Sequence, residues 1–186
     1  VAEQLWFFRG PDDWLAIAQR LKQMACPHCQ VVGALIRHGF LRGFDETSPQ
    51  RTVRARRIFC SNRNTRPGCG RTFSIWRADK IRQLSLTTAA LWLFLQRAVA
   101  GTILAAGLAV HCRLSNRTWQ RIWQRFEHAH TKIRTALSAR CPPPELPPPR
   151  SRRLPAVQTL AHLQAVFPDA HCPIAAFQLS LRTFFL

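Results

Sequence analysis

Four of this chain's seven cysteines have the spacing that would hold a metal ion: Cys26-Pro27-His28-Cys29, followed by Cys60 and Cys69. In a Cys-x-x-Cys turn the backbone curls so that both thiolates face one point and N–H groups face the sulfurs. Two such turns complete a tetrahedral four-sulfur set of the kind zinc fills. Pro27 stiffens the first turn, and Gly70, directly after Cys69, suits the positive φ that a ligand turn often needs. The second pair is irregular, because residues 61–68 put eight positions where two are usual. Cys60 must then reach the ion across an inserted loop. His28 is an alternative fourth ligand in place of Cys60, and four buried thiols are the plainer alternative to any ion. The expected occupant is one structural Zn²⁺ per chain, since four protein ligands leave no open position for water.

The elements that would position these residues read as follows. Pro11-Asp12-Asp13 suits the start of a helix, with the carboxylates at the positive end of its dipole. Trp14, Ile17, Ala18, Leu21 and Met24 then repeat at helical spacing, so residues 1–25 are expected to form an N-terminal helix. Residues 26–82 read as a small antiparallel β unit with strands at 34–40, 51–59 and 71–75, separated by Gly, Asp, Ser, Pro and Asn. A unit of about 50 residues needs a staple to fold, which the metal would supply. Residues 83–140 turn helical, roughly at 85–99, 102–109 and 115–139. Six prolines among residues 141–150 open a Pro/Arg-rich linker, 141–153, expected to be extended. In the last segment, 154–186, one short helix near 156–167 precedes an apolar tail, read as a separately docked partner-binding piece. The fold class is α+β.

Charge narrows the function. Lys and Arg total 27 against 9 Asp and Glu, a net charge of +18 and a pI near 11.6, so a polyanion is the first partner to consider. Residues 36–82 carry twelve cations and three acids, and residues 83–140 carry eight and one, whereas residues 1–35 balance at three each. A uniform codon bias toward Arg would not concentrate basicity in the middle of the chain. The apolar run 85–110 has Gln96 and Arg97 at its centre, and neither half approaches the ~20 residues a membrane span requires, so two buried helices are expected and no membrane partner. The opening residues carry an acid and no cationic leader, and the thiols fit a reducing cytoplasmic compartment, with the protein nucleoid-associated. His111-Cys112 and His171-Cys172 match no metal spacing, so Cys112, Cys141 and Cys172 are expected as free thiols.

Residues 101–109, a turn at 110–114 and a helix from Ser115 have the proportions of a helix-turn-helix. Ser115 is a good N-cap. Trp119, Ile122, Trp123, Phe126, Ala129, His130, Ile133, Ala136 and Leu137 form one apolar stripe, which makes the tryptophans core rather than stacking platforms. Arg117, Arg121 and Arg125 recur beside it, with Glu127 the only acid. In a recognition helix Arg117, Gln120, Arg121 and Gln124 would meet base edges, with Arg125 alongside, because Arg pairs well with guanine and Gln with adenine. Arg54, Arg56, Arg57, Arg63, Arg66 and Arg71 of the β unit would contact phosphates.

Cys26-Pro-His-Cys29, His38-Gly39-Phe40 with Arg42, the basic strand Arg54-Ala-Arg56-Arg57-Ile-Phe-Cys60, and Gly-Cys69-Gly-Arg-Thr-Phe-Ser74 resemble the zinc ribbons that open many bacterial insertion-sequence transposases. The likeness covers about residues 26–76, or to about 140 with the helical part. It implies a zinc ribbon followed by a helix-turn-helix that binds double-stranded DNA at the element's ends. The usual catalytic part of such proteins, three carboxylates on an alternating α/β domain, has no counterpart after residue 140, where Glu145 and Asp169 are the only acids. The chain has no Tyr, which excludes a tyrosine nucleophile. The resemblance therefore implies DNA targeting or regulation without strand cleavage, with a separate catalytic transposase subunit as a partner. A host transcription regulator and an RNA-binding or ribosome-associated ribbon protein are the alternatives.

Overall fold

A computed structural model describes residues 6–46, 48, 50–110, 114–145 and 154–186. The fold is α+β: a four-stranded sheet comes first, and a helical layer follows it. Strand β1 (Trp6–Phe8) leads into helix α1 (Pro11–Arg20) and a single 3-10 turn, Leu21–Gln23. Strands β2 (Leu35–Gly43), β3 (Thr52–Cys60) and β4 (Thr72–Arg77) form an antiparallel meander, and β1 adds parallel to β4 to give the order β1-β4-β3-β2. The expected strands are present within two or three residues of their bounds. The N-terminal segment is a correction: it is strand then helix. Gly10 and Pro11 break the chain after Arg9, whose N–H donates to the Asp13 carboxylate at 2.8 Å, so the residues before the break are free to pair with β4.

One face of the sheet is a core. Phe8, Trp14, Leu21, Ala34, Leu35, Ile58, Phe73 and Ile75 pack there with Cys26 and Cys60. The helical layer has its own core, built on α2 (Thr88–Ala100), α3 (Ile103–Ala109) and α4 (Asn116–Ser138). Thr87 and Thr102 cap α2 and α3 through their side-chain oxygens, and Ser115 caps α4 by accepting the Thr118 N–H at 3.3 Å. The α4 stripe turns inward as its period requires, burying Trp119, Ile122, Trp123, Phe126, Ile133 and Leu137. Trp119 stacks on Phe94 with centroids 4.4 Å apart, a core contact. Gly107 lets α3 lie directly against that indole, since a Cβ there would come within 2.6 Å of the Trp119 Nε1. The apolar run 85–110 is divided at Gly101-Thr102, and among the described residues no helix is long and apolar enough to cross a membrane.

The last segment is the second correction. Beyond α5 (Leu154–Val166), the expected apolar tail folds as α6 (Pro173–Leu181), and both helices belong to the main core. Ile174, Phe177 and Phe185 are buried with Leu91, Phe94 and Phe126. Gln178, fully buried, donates to the carbonyls of Ala78 at 2.8 Å and Lys80 at 3.2 Å and accepts the Phe185 N–H at 3.3 Å. Phe184 sets its ring edge-on to Phe7 and Trp76. The segment ties the helices to the sheet and is not separately docked. Linker residues 146–153, Leu5 and the turn residues His111, Cys112 and Arg113 lie outside the described residues.

A second tie crosses the same boundary. Asp45 accepts from Arg54 at 3.0 Å and from Lys80 at 2.8 Å, with all three side chains less than a tenth exposed. Glu46 accepts from both the backbone N–H and the hydroxyl of Thr87, the residue that caps α2. Burial pushes the Asp45 carboxyl up, but hydrogen bonds from Lys80 and Thr52 and the charges of Lys80 and Arg54 outweigh it and hold the group below its ordinary value.

Candidate metal centre and basic surfaces

The sulfurs of Cys26, Cys29, Cys60 and Cys69 all lie within 4.8 Å of one another. Two of the pairs, Cys26 with Cys69 and Cys29 with Cys60, stand 3.8 and 3.7 Å apart. A metal–sulfur bond of about 2.3 Å in a regular tetrahedron places its ligands about 3.8 Å apart, whereas a disulfide needs about 2.05 Å. All four are free thiols, spaced for one metal ion. Cys60 and not His28 is the fourth member. The imidazole of His28 packs edge-on against Phe73, and its backbone N–H donates to the Cys26 sulfur at 3.4 Å.

The two ligand turns are built on the same frame. In the first, Cys26 N–H donates to the Val31 carbonyl at 3.0 Å and Gln30 N–H to the Cys26 carbonyl at 2.9 Å, with Gln30 at φ 61. In the second, Cys60 N–H donates to the Arg71 carbonyl at 2.9 Å and Gly70 N–H to the Cys60 carbonyl at 2.9 Å, with Gly70 at φ 72. Cys60 thus matches Cys26, Cys69 matches Cys29, and Gly70 matches Gln30. The extra length leaves the frame between Ser61 and Gly68, whose backbones close on each other through a Gly68 N–H to Ser61 carbonyl bond of 3.1 Å. Residues 62–67 form an exposed excursion, and Cys60-Ser61 with Gly68-Cys69 rebuilds a Cys-x-x-Cys turn. Gly68 is required for this closure: a Cβ there would lie 2.6 Å from the Ser61 carbonyl carbon and 2.9 Å from that of Cys60. Sequence reasoning emphasised Gly70 and missed Gly68. The signal was present in the turn-forming residues Asn62, Asn64, Pro67 and Gly68, which mark a detour.

Two sulfurs receive a backbone N–H, Cys26 from His28 and Cys60 from Cys69 at 3.3 Å, and the amides of Val31 and Arg71 act on the charge of Cys29 and Cys69. Such donors stabilise thiolate charge and orient the ligand. The Val31 N–H is the chief reason that the Cys29 thiol is lowered to about 7, against the effect of burial. Burial pushes Cys60 up to about 12 and also raises Cys69. A cation is what would release protons from these buried thiols.

The basic residues divide into two groups. Arg54 is buried, and its guanidinium is consumed by Asp45 and by the carbonyls of Phe44, Ile81 and Leu84. It joins the two layers and is withdrawn from the set expected to meet phosphates. Arg56 shares its face of β3 and lies half-buried over the Trp14 ring at 5.2 Å. Arg57 is half-buried, while Arg63, Arg66 and Arg71 are exposed. On α4, Arg117, Gln120, Arg121 and Gln124 are exposed and Arg125 is half-buried at the edge of the apolar stripe. Cys141 and Cys172 are free thiols outside the tetrad, and Cys112 lies outside the described residues.

Compared with known proteins, the chain matches no family model, no curated protein and no solved structure.

Proposed function

We propose that this is a zinc-stapled, sequence-specific DNA-binding protein of transposase-like, mobile-element origin, which reads duplex DNA with α4 and acts in targeting or regulation without cutting strands. The observation that carries the reading is the outward face of α4. Its first half presents Arg117, Gln120, Arg121 and Gln124 together, with no acid before Glu127, while its apolar stripe is fixed in the core. A helix held this way offers its exposed N-terminal half to a major groove, with α3 preceding it as the first helix of a helix-turn-helix. Thr118 and Ser115 cap the helix start, so the reading residues project from the first turns of a capped helix. Arg66 and Arg71, exposed beside the second ligand turn, are the candidates for phosphate contacts.

Zinc is the ion this donor set favours, since four thiolates at tetrahedral spacing suit a soft, geometrically undemanding cation. Four sulfurs close the coordination sphere, so the ion's part is to fix the ligand turns and the ends of β3 and β4. Two of the acids in the β unit, Asp45 and Asp79, are committed to ion pairs with Arg54, Lys80 and Arg77, which supports targeting over cleavage.

The test compares two single substitutions by binding to a panel of duplexes. Arg121→Ala should relax preference at one base pair by roughly 1–3 kcal/mol, while Arg71→Ala should weaken all sequences alike and lower the logarithmic salt slope by about 0.9. Equal effects of both variants on every sequence would refute the assignment of α4.

A further inference from the structure

The sheet has a second face that the metal centre and the core leave open. Along β3 and β4 the buried residues Ile58, Cys60, Phe73 and Ile75 alternate with Arg57, Phe59, Thr72 and Ser74, all of which keep part of their surface in solvent. Register places Phe59 between Ile36 and Thr72, and Arg57 next to Ser74. The His38 ring lies 5.5 Å from that of Phe59 at a tilt of 37°, and the Arg63 guanidinium sits 5.6 Å over the same ring. Flat π groups, cations and hydroxyls thus form one continuous surface. Its far end is closed where Phe184 and Arg82 pack on Trp76.

Among the described residues no acid pairs with Arg57 or Arg63. The three acids among residues 36–82 are all engaged at the opposite, α2 side: Asp45 with Arg54 and Lys80, Glu46 with Thr87, and Asp79 with Arg77 and Lys80. The excursion that carries Arg63 is also unusual. Asn64 and Thr65 are consecutive residues at φ 51 and 64, a left-handed pair without glycine, in a loop that the ligand turn does not need for closure. A charge or two would suffice to protect a sheet from edge pairing. A row of ring and guanidinium planes beside free hydroxyls does more.

A duplex keeps its bases stacked inside and cannot lay them on a flat sheet, whereas an unpaired strand can. We propose that this open face binds a single-stranded polynucleotide, with bases stacking on Phe59 and His38 and phosphates meeting Arg57 and Arg63. A base stacking on Phe59 takes the place of the Arg63 guanidinium over that ring, leaving Arg63 to meet a phosphate, and Thr72 and Ser74 offer hydroxyls to its edges. This surface is separate from the α4 face and goes beyond duplex recognition.

The experiment is fluorescence anisotropy on the full-length, metal-loaded chain with labelled oligo(dT) and oligo(U) of equal length, and with a mixed-sequence duplex, over a range of salt. Phe59→Leu keeps apolar volume but removes the stacking plane; it should weaken both single strands about tenfold and leave the duplex unchanged. Arg57→Gln, which disturbs no core packing, should lower the single-strand salt slope by about 0.7. Arg121→Ala should leave single-strand binding as it is, so a failure of the α4 reading is distinguishable from a failure here. Tighter binding of oligo(U) than oligo(dT) would name RNA as the source, and the reverse would name DNA. The proposal is overturned if the wild-type chain does not bind the single strands. It is equally overturned if folded Phe59→Leu and Arg57→Gln bind them as the wild type does, or if both lose duplex and single strand in equal measure.

Discussion

Excising residues 62–67, so that Ser61 is followed directly by Gly68, should leave the metal centre intact. Cys60-Ser61 and Gly68-Cys69 already occupy the frame of Cys26-Pro27 and His28-Cys29, with the same two backbone bonds closing each turn. Closing a six-residue loop costs about 1.6 kcal/mol of chain entropy, which excision returns. Removing the left-handed Asn64 and Thr65 relieves a further ~1–2 kcal/mol each at most. The shortened chain should therefore melt no lower than the full one, and hold its ion within about fivefold of the original affinity, equivalent to ~1 kcal/mol. The paired substitution is Gly68→Ala. Its Cβ meets the carbonyl carbons of Ser61 and Cys60 at 2.6 and 2.9 Å, which are backbone and cannot swing aside. Forcing them apart should cost about 1–3 kcal/mol and weaken metal binding by roughly 5- to 150-fold. The assay is competition against a chromophoric chelator, with thermal melting of each variant. An excised chain that loses its ion, or a Gly68→Ala chain that keeps full affinity, would refute the shared frame of the two turns.

Other consequences can be checked separately. Cys60 and Cys69 are raised thiols that an ion must deprotonate, so apparent metal affinity should climb by at least two logarithmic units per pH unit between about pH 7 and 8.5; a chelator competition with a flat pH profile would contradict this. Asp45→Asn strands the buried cations of Arg54 and Lys80 and should cost about 3–5 kcal/mol in denaturant unfolding at pH 7. Because folding lowers the Asp45 carboxyl, its contribution is complete above its unfolded value of 3.8 and is lost as pH falls through the lower folded value, so the wild-type advantage should vanish in strong acid. Gln178→Leu leaves the Ala78 and Lys80 carbonyls and the Phe185 N–H without partners in the core and should cost roughly 2–3 kcal/mol; unchanged stability would show that the last segment is not the tie described above.

Where one period governs a long stretch, the sequence is readable. The α4 stripe from Trp119 to Leu137 and its cap at Ser115 follow from 3.6-residue spacing and one hydroxyl, and the cysteine pattern marks its own four members. Four features were hidden for distinct physical reasons. β1 is too short to have a pattern of its own and exists because β4 offers it a parallel partner. α6 is apolar nearly all round, with no polar face to announce a helix, because it is enclosed by the core on most sides. Arg54 looks identical to its neighbours in a run of arginines. Strand alternation separates it: Arg54 and Arg56 lie on the face of Ile58 and Cys60, and Arg57 lies with Phe59 on the other. Period-two counting back from Cys60 would have turned Arg54 inward. The equivalence of Ser61-Gly68 to a contiguous turn is a property of three dimensions, since six intervening residues mask it in the chain.

Selection of bound sequences from a random duplex pool, at moderate salt and with protein shown to carry one zinc per chain, tests the central proposal most directly. An enriched motif that Arg121→Ala degrades at a single position is the result expected of a metal-stapled protein reading DNA through α4. A zinc-loaded, folded chain that retains duplexes without enriching any sequence would contradict it.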